Sequence, residues 1–358
     1  MRTTFDIAVF QGDGIGPEIM APTLDLLGAL SGHGEYTLNW LDAPAGAAHY
    51  ARTGDSFPAA SMATARAADA ILLSAMGLPD VRYPDGTEIS PQIDLRKALT
   101  LFAGVRPVTI RPGQPTPLAT DRPVDFVLIR ESTEGLFYTQ GRGEVEADEA
   151  RETLRITREI SEPLFRFAFD LARTRKAAGR GPGKVTCVDK ANVFRAFAFF
   201  REMFDAEAAK HPEIVADHAY VDATALWMVE KPWAFDVMVT ENMFGDILSD
   251  LGAGLMGGLG LAPSADIGHD HAVFQPCHGS APDIAGQGLA NPMAMFLSAA
   301  MMLDWLGDRH GVPAMGADGA RLRTAVERVI SDRAVLTRDL GGTAGTAEVA
   351  AAVQGALA

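Results

Sequence analysis

The sequence predicts an α/β fold, because short apolar runs alternate with longer segments of helical periodicity. A hydrophobic fraction of 47% over 358 residues is enough for a large core and for two domains. The two cysteines, Cys187 and Cys277, provide no disulfide framework, which favours a reducing compartment. We therefore expect a soluble, cytoplasmic α/β protein.

The predicted strands are mostly buried: Thr4–Phe10, Ala70–Ser74, Asp125–Arg130, Lys184–Val188 and Phe235–Thr240. The predicted helices show apolar residues at three- and four-residue spacing: Gly16–Leu30, Pro91–Phe102, Asp148–Lys176, Val193–Lys210, Asn242–Leu255 and Asn291–Leu306. Ser90 and Pro91 favour a helix start, with a serine cap followed by proline at the first helical position.

The net charge of -15 argues against a nucleic-acid or anionic-membrane partner. No run of about 18 uninterrupted apolar residues is present, so we expect no membrane span. Asp6 lies where a secretory signal requires an apolar run. A small anionic ligand is still compatible with this charge, since a pocket can be locally basic.

Asp246 and Asp250 lie four residues apart, which places both carboxylates on one face of a helix. Like charges at this spacing repel unless a cation lies between them, and oxygen ligands suit Mg²⁺ or Mn²⁺. The alternative is a solvated acidic edge. Asp222 offers a third carboxylate for the same ion.

Three arginines, Arg96, Arg106 and Arg130, lie at or near the ends of apolar segments. A buried arginine requires an anion, preferably a carboxylate bound through two hydrogen bonds. Each arginine alone is explained by a structural ion pair. Together they predict a substrate with more than one carboxylate.

Lys190 follows a buried strand and is either a base with a lowered pKa or an ion-paired lysine. The glycines at 12, 14 and 16 do not follow the dinucleotide spacing G-x-G-x-x-G, so they signal nucleotide binding only weakly. The segment 277–286 combines small residues with His278 and Asp283. Small residues let a planar ligand approach the backbone, and Asp283 suits two ribose hydroxyls, which favours NAD over NADP.

Four motifs jointly resemble one family. They are Gly-Asp-Gly-Ile-Gly-Pro-Glu at 12–18, Asp-Lys-Ala-Asn at 189–192, Asn-Met-Phe-Gly-Asp-Ile-Leu-Ser-Asp at 242–250 and His-Gly-Ser-Ala-Pro-Asp-Ile-Ala-Gly at 278–286. The chain resembles the isocitrate/3-isopropylmalate dehydrogenases, β-decarboxylating enzymes that include tartrate and D-malate dehydrogenases. The resemblance implies a two-domain fold that is not Rossmann, with mixed parallel and antiparallel sheets. It implies a first domain of residues 1–101 plus 256–358, a second of residues 102–255, and an obligate dimer with shared active sites.

The resemblance also implies residue roles. Arg96, Arg106 and Arg130 bind the substrate, with Ser90 and Gln92 beside its C3 substituent. Asp246 and Asp250 of one subunit hold Mg²⁺ or Mn²⁺ with Asp222 of the other, whose Lys190 is the base. The residues implied for NAD are Ile15, Asn192, His278, Gly279, Ser280, Ala281, Pro282, Asp283 and Asn291.

The implied reaction is oxidation of a (2R)-hydroxy acid at C2 by NAD⁺, loss of CO₂ from the resulting ketone, and protonation of C3. The family's proton donor is a tyrosine seven residues after the third arginine, where this chain has Phe137. Tyr138 takes over only if the backbone is irregular, because adjacent strand residues point to opposite faces. Water or a second group is the alternative.

The substrate is an open choice within malate-type acids: a 3-substituted malate, isocitrate, tartrate or D-malate. Gln92 disfavours isopropylmalate, because a buried amide facing an isopropyl group loses hydrogen bonds. Phe137 also raises an alternative function, a catalytically silent regulatory subunit of a hetero-oligomer. The presence of Lys190, Asp222, Asp246 and Asp250 favours an active enzyme.

Overall fold

The structure is a computed structural model that describes residues 3–32, 34–111 and 113–357. Its strands are β1 Thr4–Phe10, β2 Thr37–Asp42, β3 Ala70–Leu73, β4 Ala103–Ile110, β5 Val124–Glu131, β6 Glu144–Val145, β7 Ala150–Arg151, β8 Lys184–Asp189, β9 Val215–Tyr220, β10 Val237–Thr240, β11 Pro263–Ile267 and β12 Ala272–Pro276. Its α-helices are α1 Gly16–Ser31, α2 Ala47–Thr53, α3 Ala59–Ala67, α4 Pro91–Ala98, α5 Arg158–Ala177, α6 Arg195–Ala208, α7 Val221–Glu230, α8 Asn242–Leu255, α9 Met293–His310, α10 Pro313–Asp332 and α11 Thr346–Leu357.

Ten strands form one mixed sheet in the order β2-β1-β3-β12-β11-β4-β5-β10-β8-β9. The pairs β12–β11, β11–β4 and β4–β5 are antiparallel, and the pairs on either side of them are parallel. The expected mixed α/β class is therefore confirmed. Strands from residues 4–73 and 263–276 fill one half of the sheet, and strands from residues 103–240 fill the other. The domain boundaries and the dimer stay predictions.

The inner strands of the sheet are buried, whereas the edge strands β2 and β9 have many exposed residues. Strand β3 is buried along its whole length, as expected for a strand between two layers of helices. Helix α9 lies in the main core and buries Met295, Phe296 and Leu303, each with no exposed surface. Burying an apolar side chain of this size contributes about 1.5–3 kcal/mol.

The predicted helix over 148–176 was wrong in its first ten residues. Residues 150–151 form β7, which pairs with β6 in a two-stranded hairpin, and the helix begins only at Arg158. The Thr157 hydroxyl accepts a hydrogen bond from the Ile160 amide and thereby caps α5. Helix α4 likewise ends at Ala98 rather than Phe102, because Thr100 adopts a left-handed φ of 50°. None of the described helices is long and apolar enough to cross a membrane.

Candidate active site

A cavity of about 270 Å³ opens at the junction between the two halves of the sheet. Six of the residues expected to bind the substrate or the metal line it: Gln92, Arg96, Arg106, Arg130, Asp246 and Asp250. They come from two helices, α4 and α8, and from two neighbouring strands, β4 and β5. The cavity therefore combines basic side chains with a pair of carboxylates.

Asp266 on β11 holds two of the arginines. Its carboxylate accepts from Arg96 Nε at 2.9 Å and lies 3.4 Å from an Arg106 guanidinium nitrogen. It also accepts from Gln275 Nε2 at 2.8 Å and from the Ser132 hydroxyl at 3.2 Å. Burial alone would raise the pKa of Asp266, but Arg96, Arg106 and Arg130 outweigh burial and lower it. Asp266 is thus an anchor that stays charged and orients the arginines toward the cavity.

Arg130 lies across the first turns of α8. Its guanidinium donates to Asn242 Oδ1 and forms an ion pair with Asp246. The close approach requires Gly245, where a Cβ atom would lie 2.6 Å from Arg130 Cβ and Cγ. Burial, together with the charge of Arg96, lowers the pKa of Arg130 to about 10. Asn242 was not expected in the site, although it follows the strand β10 and begins α8.

Helix α8 presents the two expected metal ligands side by side. The Glu241 carboxylate caps its first turn by accepting from the Met243 and Phe244 amides. Partial burial and the nearby charge of Asp246 raise the pKa of Asp250. Two carboxylates that repel each other on an open wall suit a hard divalent cation. In the described part of the chain, no three His, Cys, Asp or Glu side chains cluster as a metal site.

Asp222 and Lys190 lie apart from the lining of this cavity. Lys190 Nζ lies 2.5 Å from an Asp222 carboxylate oxygen, and the Asp222 side chain is 69% exposed. The hydrogen bond from Lys190 lowers the pKa of Asp222. Asn192 lies in the exposed turn that follows Lys190. One chain therefore does not bring these three residues to Asp246 and Asp250.

The wall beside Arg96 contains Gln92 and Ile93 from α4. Gln92 Oε1 is buried and lacks a hydrogen-bond partner among the described residues. Ser90 occupies the expected capping position, but its hydroxyl donates to the Glu88 carbonyl and makes no cap hydrogen bond. Ser90 is also outside the cavity lining. Gln92 is therefore the polar group of this wall that a ligand has to satisfy.

Phe137 lines the cavity, whereas Tyr138 does not. Both residues belong to a 3₁₀ turn, Leu136–Thr139, so the backbone is irregular here. The irregularity nevertheless turns the Tyr138 ring away, toward Arg155 at 4.3 Å and Arg142 at 5.3 Å. This position does not support Tyr138 as a replacement for the missing phenol.

The loop expected to bind NAD packs against the turn between β1 and α1. The Ile15 amide donates to the Ser280 carbonyl at 2.8 Å. A Cβ atom on Gly14, whose φ is +59°, would lie 2.0 Å from that carbonyl oxygen, so this contact requires glycine. Buried Asp13, also missed, accepts from the Ala47, Ala48 and Gly77 amides and fixes the turn.

His278 and Gly279 reach the cavity from the other end of the same loop. His278 Nε2 is buried without a partner among the described residues, and burial lowers the pKa of this imidazole. Ala281 has a positive φ of 37°, a conformation that is rare for a residue with a side chain and is common at functional sites.

Pro282 and Asp283 are exposed at the tip of the loop, whereas Asn291 is held internally. Asn291 donates to Asp339 at 3.0 Å and accepts from the Met293 amide at 3.0 Å. A buried imidazole nitrogen without a partner, beside an exposed acidic tip, fits a nucleotide with a ribose diol.

Comparison with known proteins identifies the family of this chain. The family model described as isocitrate/isopropylmalate dehydrogenase matches residues 6–353. The 3-isopropylmalate/3-methylmalate dehydrogenase of Methanocaldococcus jannaschii is 42% identical over 346 residues, which are 96% of each chain. The homoisocitrate dehydrogenase of the same organism is 41% identical and covers 96% of this chain and 95% of its own.

A crystal structure of isocitrate dehydrogenase from Methylococcus capsulatus superposes with a TM-score of 0.86 at 37% identity, covering 99% of both chains. The fold and the relatives are those of oxidative decarboxylating hydroxyacid dehydrogenases. The chain belongs to the isocitrate/isopropylmalate dehydrogenase family.

Proposed function

We propose that the protein oxidises and decarboxylates a (2R)-hydroxy acid of the malate type, with NAD⁺ as oxidant and Mg²⁺ or Mn²⁺ as metal. The observation that carries the proposal is the charge of the cavity. Three guanidiniums, of Arg96, Arg106 and Arg130, face three carboxylates, of Asp246, Asp250 and Asp266. These charges cancel, so a bound divalent cation gives the cavity two excess positive charges. Two positive charges match the two negative charges of a dicarboxylate substrate.

Asp246 and Asp250, with Asp222 of a second copy, would hold this cation. When bound, a divalent ion lowers the pKa of a coordinated hydroxyl and polarises a carbonyl. The arginines hold the substrate carboxylates, and Lys190 of the partner subunit accepts the proton of the C2 hydroxyl. Because Phe137 has no proton to give, water is the donor at C3 in this proposal.

The dimer is supported by an apolar surface beside the metal carboxylates. Asp222, Leu226 and Val229 share one face of α7 at helical spacing, and Met243 and Ile247 share one face of α8. Leu226 is 54% exposed and Ile247 is 63% exposed. A second copy covering this surface would bury it and bring Asp222 and Lys190 to the Asp246 of its neighbour.

Mixed dimers test this sharing. A Lys190→Ala chain and an Asp246→Asn chain should each be inactive alone. Refolded together, they should regain activity, because one of the two sites in a mixed dimer has both residues intact. No recovery, with dimers present by analytical ultracentrifugation, would contradict the shared site.

NAD specificity rests on Asp283. Its exposed carboxylate suits the two ribose hydroxyls of NAD and repels the 2′-phosphate of NADP. His278 Nε2 is a free buried group that a bound nucleotide would satisfy. Asp283→Lys should raise the ratio of kcat/KM for NADP⁺ over NAD⁺ by at least about tenfold.

Within malate-type acids, we propose a substrate whose C3 substituent forms hydrogen bonds. A buried amide oxygen without a partner costs about 1–3 kcal/mol, so a hydroxyl that donates a hydrogen bond to Gln92 Oε1 would bind better than an alkyl group. Several relatives are named as isopropylmalate dehydrogenases, and Gln92 is the feature that argues for a different preference.

The experiment is NADH formation with Mn²⁺ and D-malate, the tartrates, isocitrate, homoisocitrate or 3-isopropylmalate. Turnover of an acid with a polar substituent, abolished by EDTA, is the expected result. Turnover of isopropylmalate alone would contradict the substrate proposal. If no acid is turned over and neither NAD⁺ nor Mn²⁺ binds, the result would favour the alternative that Phe137 raises, a catalytically silent regulatory subunit.

A further inference from the structure

A second cavity, of about 420 Å³, lies on the opposite side of the sheet from the active-site cavity. Side-chain alternation along the strands shows this arrangement. On β4, Val105 lines the second cavity and Arg106 lines the active-site cavity. On β12, Phe274 lines the second cavity and Gln275 lines the active-site cavity. Neighbouring residues on β11, Pro263 and Ser264, also line opposite cavities. We call the second cavity the rear cavity.

The rear cavity spans the two halves of the sheet. Helix α5, which follows strands of one half, contributes Phe167 and Leu171. Helix α9, from the other half, contributes Leu297, Met301 and Trp305. Its walls are thus apolar and partly aromatic, and an occupant would touch both halves of the molecule.

The charged groups around the rear cavity balance one another. Four arginines, at 111, 175, 180 and 323, face four acids, at 170, 304, 308 and 327. Two of the arginines are already paired inside this set, Arg111 with Glu327 and Arg323 with Asp304. The other two arginines are paired as well, Arg175 with Asp236 and Arg180 with Asp125, so an anionic ligand would have to displace an existing partner.

From these observations we propose that the rear cavity binds an uncharged apolar small molecule, and that this binding is coupled to the active site through the shared strands. Apolar walls supply the affinity, because removing apolar surface from water contributes about 25 cal/mol per Å². The balanced rim supplies the selectivity for an uncharged ligand. The Asp308 carboxylate, which also lines the rear cavity, can accept a hydrogen bond from a ligand N–H or O–H.

The coupling follows from the common wall. The two cavities lie on opposite sides of the same strands. A change in the angle between the two halves of the molecule that narrows the active-site cavity therefore widens the rear cavity. An occupant in contact with both α5 and α9 loses contacts when the rear cavity widens. It therefore opposes narrowing of the active-site cavity around its substrate.

Indole is the probe that tests the site, because it is uncharged, aromatic and carries one N–H donor. Titration calorimetry of the full chain should give saturable binding with one indole per chain. Indole-3-acetate, of similar shape but negatively charged, should bind at least about tenfold more weakly. Absence of saturable indole binding, or equal affinity for both probes, would overturn the proposal.

Two variants that fill the cavity from opposite walls, Leu171→Trp and Leu297→Trp, should each weaken indole binding by at least about tenfold. Leu24→Trp is the matched control, since Leu24 is a partly buried leucine that packs against the core outside both cavities. Circular dichroism identifies any variant that does not fold. Indole affinity that is unchanged in both folded filling variants would also overturn the proposal.

Coupling is measured with the hydroxy acid that the wild type turns over. Saturating indole should raise KM at least about twofold, and this effect should vanish in Leu171→Trp. An unchanged KM would overturn the coupling. The binding experiment needs no substrate, so its outcome is independent of the proposed function.

Discussion

Arg96 Nε donates to Asp266 Oδ2 at 2.9 Å, and this hydrogen bond ties helix α4 to strand β11. The Asp266 side chain has no exposed surface. A substrate arginine from one segment is therefore oriented by an aspartate 170 residues later in the chain.

Asp266→Asn should destabilise the protein by about 3–5 kcal/mol at neutral pH, because it leaves buried guanidiniums without a charged partner. The pKa of Asp266 is held below its ordinary value, so its contribution exists above the unfolded pKa and is lost as pH falls through the folded pKa. The difference between wild type and variant in urea unfolding should therefore shrink in acid. Asp270→Asn, at an exposed ion pair, is the control, and an equal loss there would contradict the assignment.

Asp246→Asn should weaken Mn²⁺ binding at least about a hundredfold in calorimetry, since it removes one proposed ligand. Asp332→Asn, an exposed aspartate at the end of α10, should leave the affinity unchanged. Unchanged affinity in Asp246→Asn would remove this residue from the metal site.

Tyr138→Phe should retain turnover within about twofold, because the Tyr138 ring packs between Arg142 and Arg155 outside the cavity lining. Phe137→Tyr places a phenol in the cavity and should accelerate protonation of C3. Single-turnover kinetics separate this step from hydride transfer. Loss of turnover in Tyr138→Phe far beyond that in a Phe137→Leu control would make Tyr138 the acid after all.

Burial raises the pKa of Glu131 to about 7. An acid with a raised folded-state pKa contributes stability below its unfolded pKa and loses this contribution as pH rises through the folded pKa. The free energy of unfolding of Glu131→Gln should therefore rise relative to that of wild type by about 1–3 kcal/mol as the pH rises from about 5 to about 9. Urea unfolding measures this difference. Exposed Glu149→Gln should show no such trend, and a flat difference for Glu131→Gln would contradict the assignment.

Gln92→Leu should raise the kcat/KM ratio of 3-isopropylmalate over a polar-substituted malate at least about tenfold. The change replaces the unsatisfied Gln92 amide oxygen with an apolar wall. Ser90→Ala is the comparison, and it should leave the ratio unchanged because Ser90 lies outside the cavity lining. An unchanged kcat/KM ratio in Gln92→Leu would show that Gln92 does not determine the choice of substrate.

Local patterns predicted the elements with strong periodicity, such as Thr4–Phe10 and Asn242–Leu255, and these are confirmed. Strand β9 was missed because most of its residues are exposed, so it has no apolar run. Strand β4 was missed because it contains both glycine and proline. Within the site, the arginines and aspartates had recognisable spacing. Asp266 had none, because its partners come from distant segments and meet only in the folded chain.

The most direct test of the proposed reaction is the ratio of CO₂ released to NADH formed, measured in one reaction mixture with Mn²⁺ and the preferred hydroxy acid. One CO₂ is expected for each NADH, with water supplying the C3 proton beside Phe137. NADH without CO₂ would contradict decarboxylation and make the protein a dehydrogenase that releases its oxoacid intact.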